Sequence, residues 1–326
     1  MLILNFAVRR ICAGIVTLFL VSVFCFIAFD IIGGDPASRM LGLGATDEQI
    51  QVFREKMGLD RPLPIRYFQW LGNLATGNLG YSFRFQGQTV SALIAERLPI
   101  SFFLGLLSLC LILLIAVPVS LFSVRHENSL VSRLVNIFTA IGISVPGFFL
   151  GVLLIWVFAV GLRLFSPGIF VDYRTNFFGF IGSLFFPALA IAIPNAAIMI
   201  KFLRSSLLKE QRGDYFRTAR AKGASHSIAL RRHALRNALI PSVTVLGMIT
   251  AEILSGSIII EQVFAIPGLG RLLIASITSR DYPLIQTLVV YISFVIIFIN
   301  TIVDIVFHVI DPRIRMEKDG VAKGNG

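Results

Sequence analysis

Phe180-Ile-Gly-Ser-Leu-Phe-Phe-Pro-Ala-Leu-Ala-Ile-Ala-Ile-Pro-Asn-Ala-Ala-Ile-Met-Ile-Lys-Phe-Leu203 is an almost unbroken apolar run that stops at Arg204. A bilayer-spanning helix takes about 20 mostly apolar residues, and this run is long enough. A basic island follows. Its centre reads Tyr215-Phe-Arg-Thr-Ala-Arg-Ala-Lys-Gly-Ala-Ser225, then His233-Ala-Leu-Arg-Asn-Ala-Leu-Ile-Pro241, where apolar sequence resumes. Between Arg204 and Arg236 nine Lys or Arg stand against only Glu210 and Asp214. Helix connections usually take about two to eight residues. An insertion this long, with helical spacing and a central Gly, predicts a docking surface for a soluble partner.

Composition agrees with a membrane setting. The 326 residues are 56% hydrophobic and 14% charged, with a mean hydropathy of +0.83. Soluble domains carry about 25% charged residues. The net charge is +11, but the positive residues lie between apolar runs, where retention on the cytoplasmic side explains them. Nucleic-acid binding is therefore not expected. The fold expected is all-α, a polytopic bundle of six transmembrane helices in the lipid bilayer with a small periplasmic cap.

The spans fall near Ile11–Phe29, Leu98–Val124, Leu134–Leu162, Phe180–Leu203, Leu239–Ile260 and Leu284–Ile310. The first follows Arg9 and Arg10. It is too long for a signal peptide core and lacks a small-residue cleavage site, so it reads as an uncleaved anchor. Four segments result: the anchor 1–29, a cap 30–97, a five-helix core 98–310 containing the loop 204–236, and a tail 311–326. Arg9, Arg10, Arg125, Arg133, the 204–236 loop and the tail bases Arg313, Arg315, Lys318 and Lys323 all fall on one side of a six-span chain. The positive-inside rule makes that side cytoplasmic, with both termini inside. The cap also carries seven Lys or Arg, but long loops obey this rule poorly.

Within the cap, Thr46-Asp-Glu-Gln49 reads as a capping box. Ile50, Phe53 and Met57 then share a helix face, and Gly58 is a natural stop. Tyr67, Trp70 and Tyr81 suit a membrane interface.

The residues offer little for chemistry. Cys12, Cys25 and Cys110 sit inside apolar runs as small hydrophobes. His126, His226, His233 and His308 are scattered, so no metal site is expected. No phosphate-cradling loop of Walker type is present, and no catalytic constellation has useful spacing. Ionisable residues inside spans are functional candidates by default. Glu252 and Asp304 are therefore candidates for a translocation path, with pairing to another helix as the alternative for Asp304. Glu261 reads as a solvated group near the outer end of its span. An intramembrane enzyme using these carboxylates is the rival class, and a gated channel lacks a repeated filter or charged ring.

Nine short motifs bring a family into view: Gly34-Asp-Pro36, Gly58-Leu-Asp-Arg-Pro62, Gly77-Asn-Leu-Gly80, Arg97-Leu-Pro99, Arg217-Thr-Ala-Arg-Ala-Lys-Gly223, His233-Ala-Leu-Arg-Asn237, Pro267-Gly-Leu-Gly270, Arg280-Asp-Tyr-Pro283 and Asp311-Pro-Arg313. In that order, the chain resembles the first permease subunit of bacterial ABC importers for dipeptides, oligopeptides and nickel. Its loop resembles the Glu-Ala-Ala…Gly signature of import permeases. Arg217 stands at the Glu position and Thr218 at the first Ala, while Ala219 and Gly223 match. Asn78 stands where Asp is more usual.

The resemblance implies an ATPase-coupling element made of Asp214, Tyr215, Arg217, Thr218, Ala219, Arg220, Ala221, Lys222, Gly223 and Ala224. Small Ala219, Ala221 and Ala224 would let this knob enter a partner's groove, and Arg217, Arg220 and Lys222 would meet acidic groups there. It further implies a homologous second permease, two cytoplasmic ABC ATPases carrying ATP and Mg, and an extracytoplasmic substrate-binding protein. No cofactor would be bound by this chain. Alternating access would move di- or oligopeptides, with nickel or a metal chelate as the other cargo of the family.

Overall fold

The computed structural model describes residues 2–33, 37, 44–85 and 87–310. The motifs Gly34-Asp-Pro36 and Asp311-Pro-Arg313, the tail 311–326, and the side chains of Phe53 and Met57 lie outside the described residues. Among those residues every regular element is a helix, with one isolated bridge between Tyr81 and Thr89 and no named strand.

Five continuous helices are long and apolar enough to cross a membrane. They are α1 (Leu2–Gly33), α4 (Val90–Arg125), α7 (Phe177–Gln211), α10 (Leu235–Val263) and α12 (Tyr282–Ile310). With no water in the hydrocarbon core, a helix satisfies its own backbone polar groups, which is why these runs take this form. Pro187, Pro194 and Pro241 lie inside unbroken helices.

The run expected as the third span is broken. Helix α5 (Leu130–Ser144) and helix α6 (Gly147–Leu154), which continues as a π-helical turn over Ile155–Gly161, bend by 102° at their junction. Val145 is extended, at φ −88° and ψ 119°. This is the conformation that a following Pro imposes, and Pro146 caps the start of α6. Each arm of the pair is short for a bilayer about 30 Å thick. Among the described residues, six helices are long and apolar enough to span only when the bent pair counts as one.

Two compact units divide the chain: residues 1–11, 100–267 and 298–326 in one, and 12–99 with 268–297 in the other. The core of the first gathers Leu104, Ile112, Phe180, Leu184, Met199, Ile249, Ile253 and Ile260 around α7. Glycines let α5 and α6 approach α7 closely, as small residues do where lipid offers no hydrophobic drive. A Cβ on Gly142 would lie 2.9 Å from Cβ of Ala197. One on Gly147 would lie 3.3 Å from the Ala190 carbonyl oxygen. That carbonyl has lost its helical donor because residue 194 is Pro. Nearby, the Asn195 side-chain amide donates to the Ile191 carbonyl at 3.0 Å.

In the second unit Val90, Leu93, Ile94, Leu269, Leu272, Leu284 and Leu288 form the core. The capping box at Thr46 and Gln49 forms as expected, and Gly58 ends α2 (Asp47–Met57) at φ +67°. Helix α3 (Leu63–Ala75) corrects the reading of its aromatics. Tyr67 is buried against α1 rather than lying at an interface, with its hydroxyl 2.8 Å from Ser22 Oγ and its ring edge-on to Phe26. Trp70 also packs on Phe26, and Arg66 pairs with Asp30 at 2.7 Å. An eleven-residue helix, α11 (Leu269–Ser279), occupies the connection expected as a loop.

Candidate docking knob and path residues

Helix α7 runs eight residues beyond Leu203, carrying the chain into the basic island. Arg204 is fixed there by two buried serines. Its Nε donates to Ser123 Oγ at 3.0 Å and its Nη2 to Ser132 Oγ at 3.2 Å. The turn at Gly213 is tight, since a Cβ there would lie 2.9 Å from the Tyr215 ring and 3.2 Å from the Glu210 carbonyl.

Helix α8 (Asp214–Ala221) follows. Phe216 anchors it, buried among Val124, Leu203, Leu207 and Leu230. The Tyr215 hydroxyl donates to Glu210 Oε2 at 2.5 Å, and Thr218 Oγ1 donates to the Asp214 carbonyl at 2.9 Å. Arg217 lies 3.9 Å from Asp214, with both side chains largely exposed. Such a pair contributes little to stability and leaves the guanidinium available to a partner.

The helix stops at Lys222, and Gly223 turns the chain at φ +89°. Its N–H donates to the Arg220 carbonyl at 3.0 Å, and the Ala224 N–H to the Ala219 carbonyl at 3.2 Å. Arg220 folds back over the turn, its Nη1 donating to the Ala224 carbonyl at 2.9 Å. Helix α9 (His226–Ala229) then begins with Ser225 as its cap, and a π-helical turn over Leu230–Ala234 leads into α10. The Gln211 amide and the His226 ring meet at 2.7 Å behind the knob.

The ten loop residues singled out from sequence form one local feature: the short helix α8 and the turn at Gly223, after which the chain enters α9 and runs without a break into α10. The structure sorts the small residues among them. Ala219 and Ala224 pack partly against the chain's own core, whereas Ala221, Lys222 and Gly223 are exposed. A Cβ built on Gly223 meets nothing within 4 Å. The knob presents an exposed backbone turn, with Arg217, Arg220 and Lys222 exposed on the same short segment. A corner like this suits entry into a groove of another protein.

The carboxylates in the spans separate. Asp304 pairs with Arg10 at 3.0 Å. Glu252 is exposed on α10. Glu261, expected to be solvated, is fully buried and accepts a hydrogen bond from Ser101 Oγ at 2.6 Å. Sequence reading passed over Asp281 as a functional group. It is fully buried, accepting from Ser82 Oγ and from the Arg84 N–H at 3.2 Å. Its only sequence signal was its place in the motif Arg280-Asp-Tyr-Pro283.

Five membrane-length apolar helices and a bent pair among the described residues define a multi-pass membrane protein. Two family models match: that of the binding-protein-dependent transport system inner membrane component over residues 116–316, and its N-terminal counterpart over residues 3–105. The chain belongs to this family of inner-membrane permease subunits. It is similar to a putative peptide transport system permease protein of Brucella abortus, 36% identical over 309 residues, covering 95% of this chain and 98% of the relative. It is also similar to a probable peptide ABC transporter permease protein of Sinorhizobium fredii, 35% identical over 310 residues, covering 95% and 99%. Another relative is the oligopeptide transport system permease protein AppB of Bacillus subtilis, 35% identical over 312 residues, covering 95% and 99%. The chain is thus a transport subunit and not an enzyme.

Proposed function

We propose that this chain forms half of the translocation path of an ATP-driven importer for di- or oligopeptides, facing a homologous second permease. Two cytoplasmic ATPases dock on the Gly223 knob and its counterpart, and a soluble binding protein delivers peptide to the outer face. Both termini are cytoplasmic. ATP-driven closure of the ATPases brings the knobs together and opens the path outward; release of the products reverses it. Glu252 is the candidate path residue on α10.

The observation that carries this reading is the exposed turn at Gly223, with its positive φ and, among the described residues, nothing within 4 Å of where a Cβ would stand. The printed names of the similar proteins support peptide as cargo. The test is reconstitution in lipid with the second permease, the ATPases and the binding protein. ATP hydrolysis should be stimulated by peptide-loaded binding protein, and labelled peptide should accumulate. Accumulation of nickel without peptide would move the cargo to the metal branch. Vigorous hydrolysis by the purified chain alone would overturn the assignment.

A further inference from the structure

A cavity of about 620 Å³ opens beside the knob, lined by the last turns of α4, the first of α5 and the segment Ser227–Arg231. Its walls are mainly apolar, with Phe122, Val131 and Val135 among them. Two guanidinium groups, Arg125 and Arg231, also line it, together with Ser227 and no acidic residue. Among the described residues neither arginine is paired with a carboxylate. Arg125 closes the last turn of α4, and Phe122 and Val131 are exposed.

We propose that this cavity seats one anionic phospholipid of the inner leaflet, which rests on the cytoplasmic placement of the loop given above. Three features select that occupant. One wall is the last apolar turns of α4, a membrane-length helix ending at Arg125, which on that cytoplasmic placement sets it beside the headgroup region. Among the described residues the charge at the mouth is doubly positive with no carboxylate paired to it, which matches a phosphodiester bearing a further anionic charge or a hydroxylated headgroup. Guanidinium groups bind phosphate oxygens through paired N–H donors, and Ser227 adds a hydroxyl donor. Basic pockets on the cytoplasmic side of helix bundles are suited to anionic headgroups. The volume lies in the range of about 300–1,000 Å³ that small-molecule sites occupy. The lipid joins α4 to the turn that follows the knob, and so holds the coupling element against the spans.

The test uses the purified transport complex in detergent. Phosphatidylglycerol and phosphatidylcholine of matched chains are added, and retention is read by native mass spectrometry alongside the Tm. Phosphatidylglycerol should be retained and should raise the Tm more than phosphatidylcholine. The double variant Arg125→Gln/Arg231→Gln should retain it about 30-fold less well, as expected for two basic contacts near an anionic surface. Val131→Trp fills the cavity while keeping both charges, and should lose the same preference. Inorganic phosphate should reproduce neither effect. Equal retention of the two lipids, or a preference unchanged in both variants, would overturn the proposal. So would loss of ATPase co-purification in the double variant with lipid preference intact, which would assign the cavity to a protein partner. Peptide transport and ATPase assembly are scored separately, so a failed lipid seat leaves the permease assignment standing.

Discussion

Arg10 on α1 and Asp304 on α12 form an ion pair at 3.0 Å, joining the first and last membrane-length helices. A candidate path carboxylate therefore has a structural partner. An ionisable group in a bilayer that loses its partner is costly, so breaking the pair should act on assembly. Asp304→Asn is expected to lower the amount of assembled complex, and Arg10→Gln/Asp304→Asn to recover part of it. Uptake per assembled complex should stay near the parent value. A large loss per complex, with assembly intact, would return Asp304 to the path.

Asp281 joins α11 and α12 to the turn near Ser82. It takes a hydrogen bond from the Ser82 hydroxyl and one from the Arg84 amide, and it is fully buried. Hydrogen bonds to a charged group contribute about 1.5–3 kcal/mol each. Asp281→Leu removes the acceptor and leaves two donors stranded. It should lower the Tm of the purified chain and open the segment near Ser82 to protease, with Asp281→Asn milder. Identical Tm and cleavage patterns for parent and Asp281→Leu would show that the network does not hold that turn.

The spans were legible because a bilayer leaves a continuous mark about 20 residues long. The turn at Gly223 was legible because its features are local: a Gly where φ is positive, directly after the short helix α8. The bend at Pro146 was not. Pro187, Pro194 and Pro241 sit in equally apolar runs and their helices continue. What differs at Pro146 is tertiary, including the approach of Gly147 to the Ala190 carbonyl. Glu261 was misread for the same reason, because the hydroxyl that receives it belongs to Ser101, 160 residues away. Helix α11 escaped notice since its eleven residues are too few for a span. The inward turn of Ala219 and Ala224 followed from the burial of Phe216, which composition does not reveal.

Gly247 on α10 touches Val303 on α12 so closely that an added Cβ would lie 2.2 Å from Val303 Cγ1. Valine is stiff at χ1 and cannot swing aside. Gly247→Ala should therefore destabilise by about 1–3 kcal/mol, the usual cost of overpacking, and Val303→Ala should rescue it. Gly256 on the same helix has open space where a Cβ would stand, with nothing within 4 Å, so Gly256→Ala should leave the Tm level or raise it. Thermal unfolding in detergent separates the three variants. Equal Tm for Gly247→Ala and the parent would contradict the packing.

The distribution of charge predicts an orientation that labelling can read. A Cys at Asn78, exposed beyond α3, should react with a membrane-impermeant maleimide in intact cells. A Cys at Lys222, exposed on the knob, should react only after the membrane is opened. Both substitutions are made in a background with Cys12, Cys25 and Cys110 replaced by Ala. The reversed pattern would invert the topology and remove the knob from the ATPases.

Gly223 offers the sharpest separation between a turn and a docking element. Its φ of +89° disfavours any side chain, and its surroundings within the chain are open. Left-handed backbone costs an L-residue about 1–2 kcal/mol, and a β-branched residue fares worse there. If the corner served only its own chain, Gly223→Ala would cost that strain and no more, because among the described residues an added Cβ meets nothing within 4 Å, and Gly223→Val would add only its greater backbone strain. If the corner enters a partner's groove, the strain adds to a clash that grows with side-chain volume. Gly223→Val should then abolish ATPase co-purification and uptake, while membrane insertion and the Tm of the spans stay near normal. Gly223→Ala should retain a part of both. Arg220→Glu supplies an independent reading. It removes the bond to the Ala224 carbonyl and reverses a charge on the docking rim, so its defect should vary with ionic strength. Gly223→Val with full co-purification and full uptake would mean that the ATPases grip the chain elsewhere.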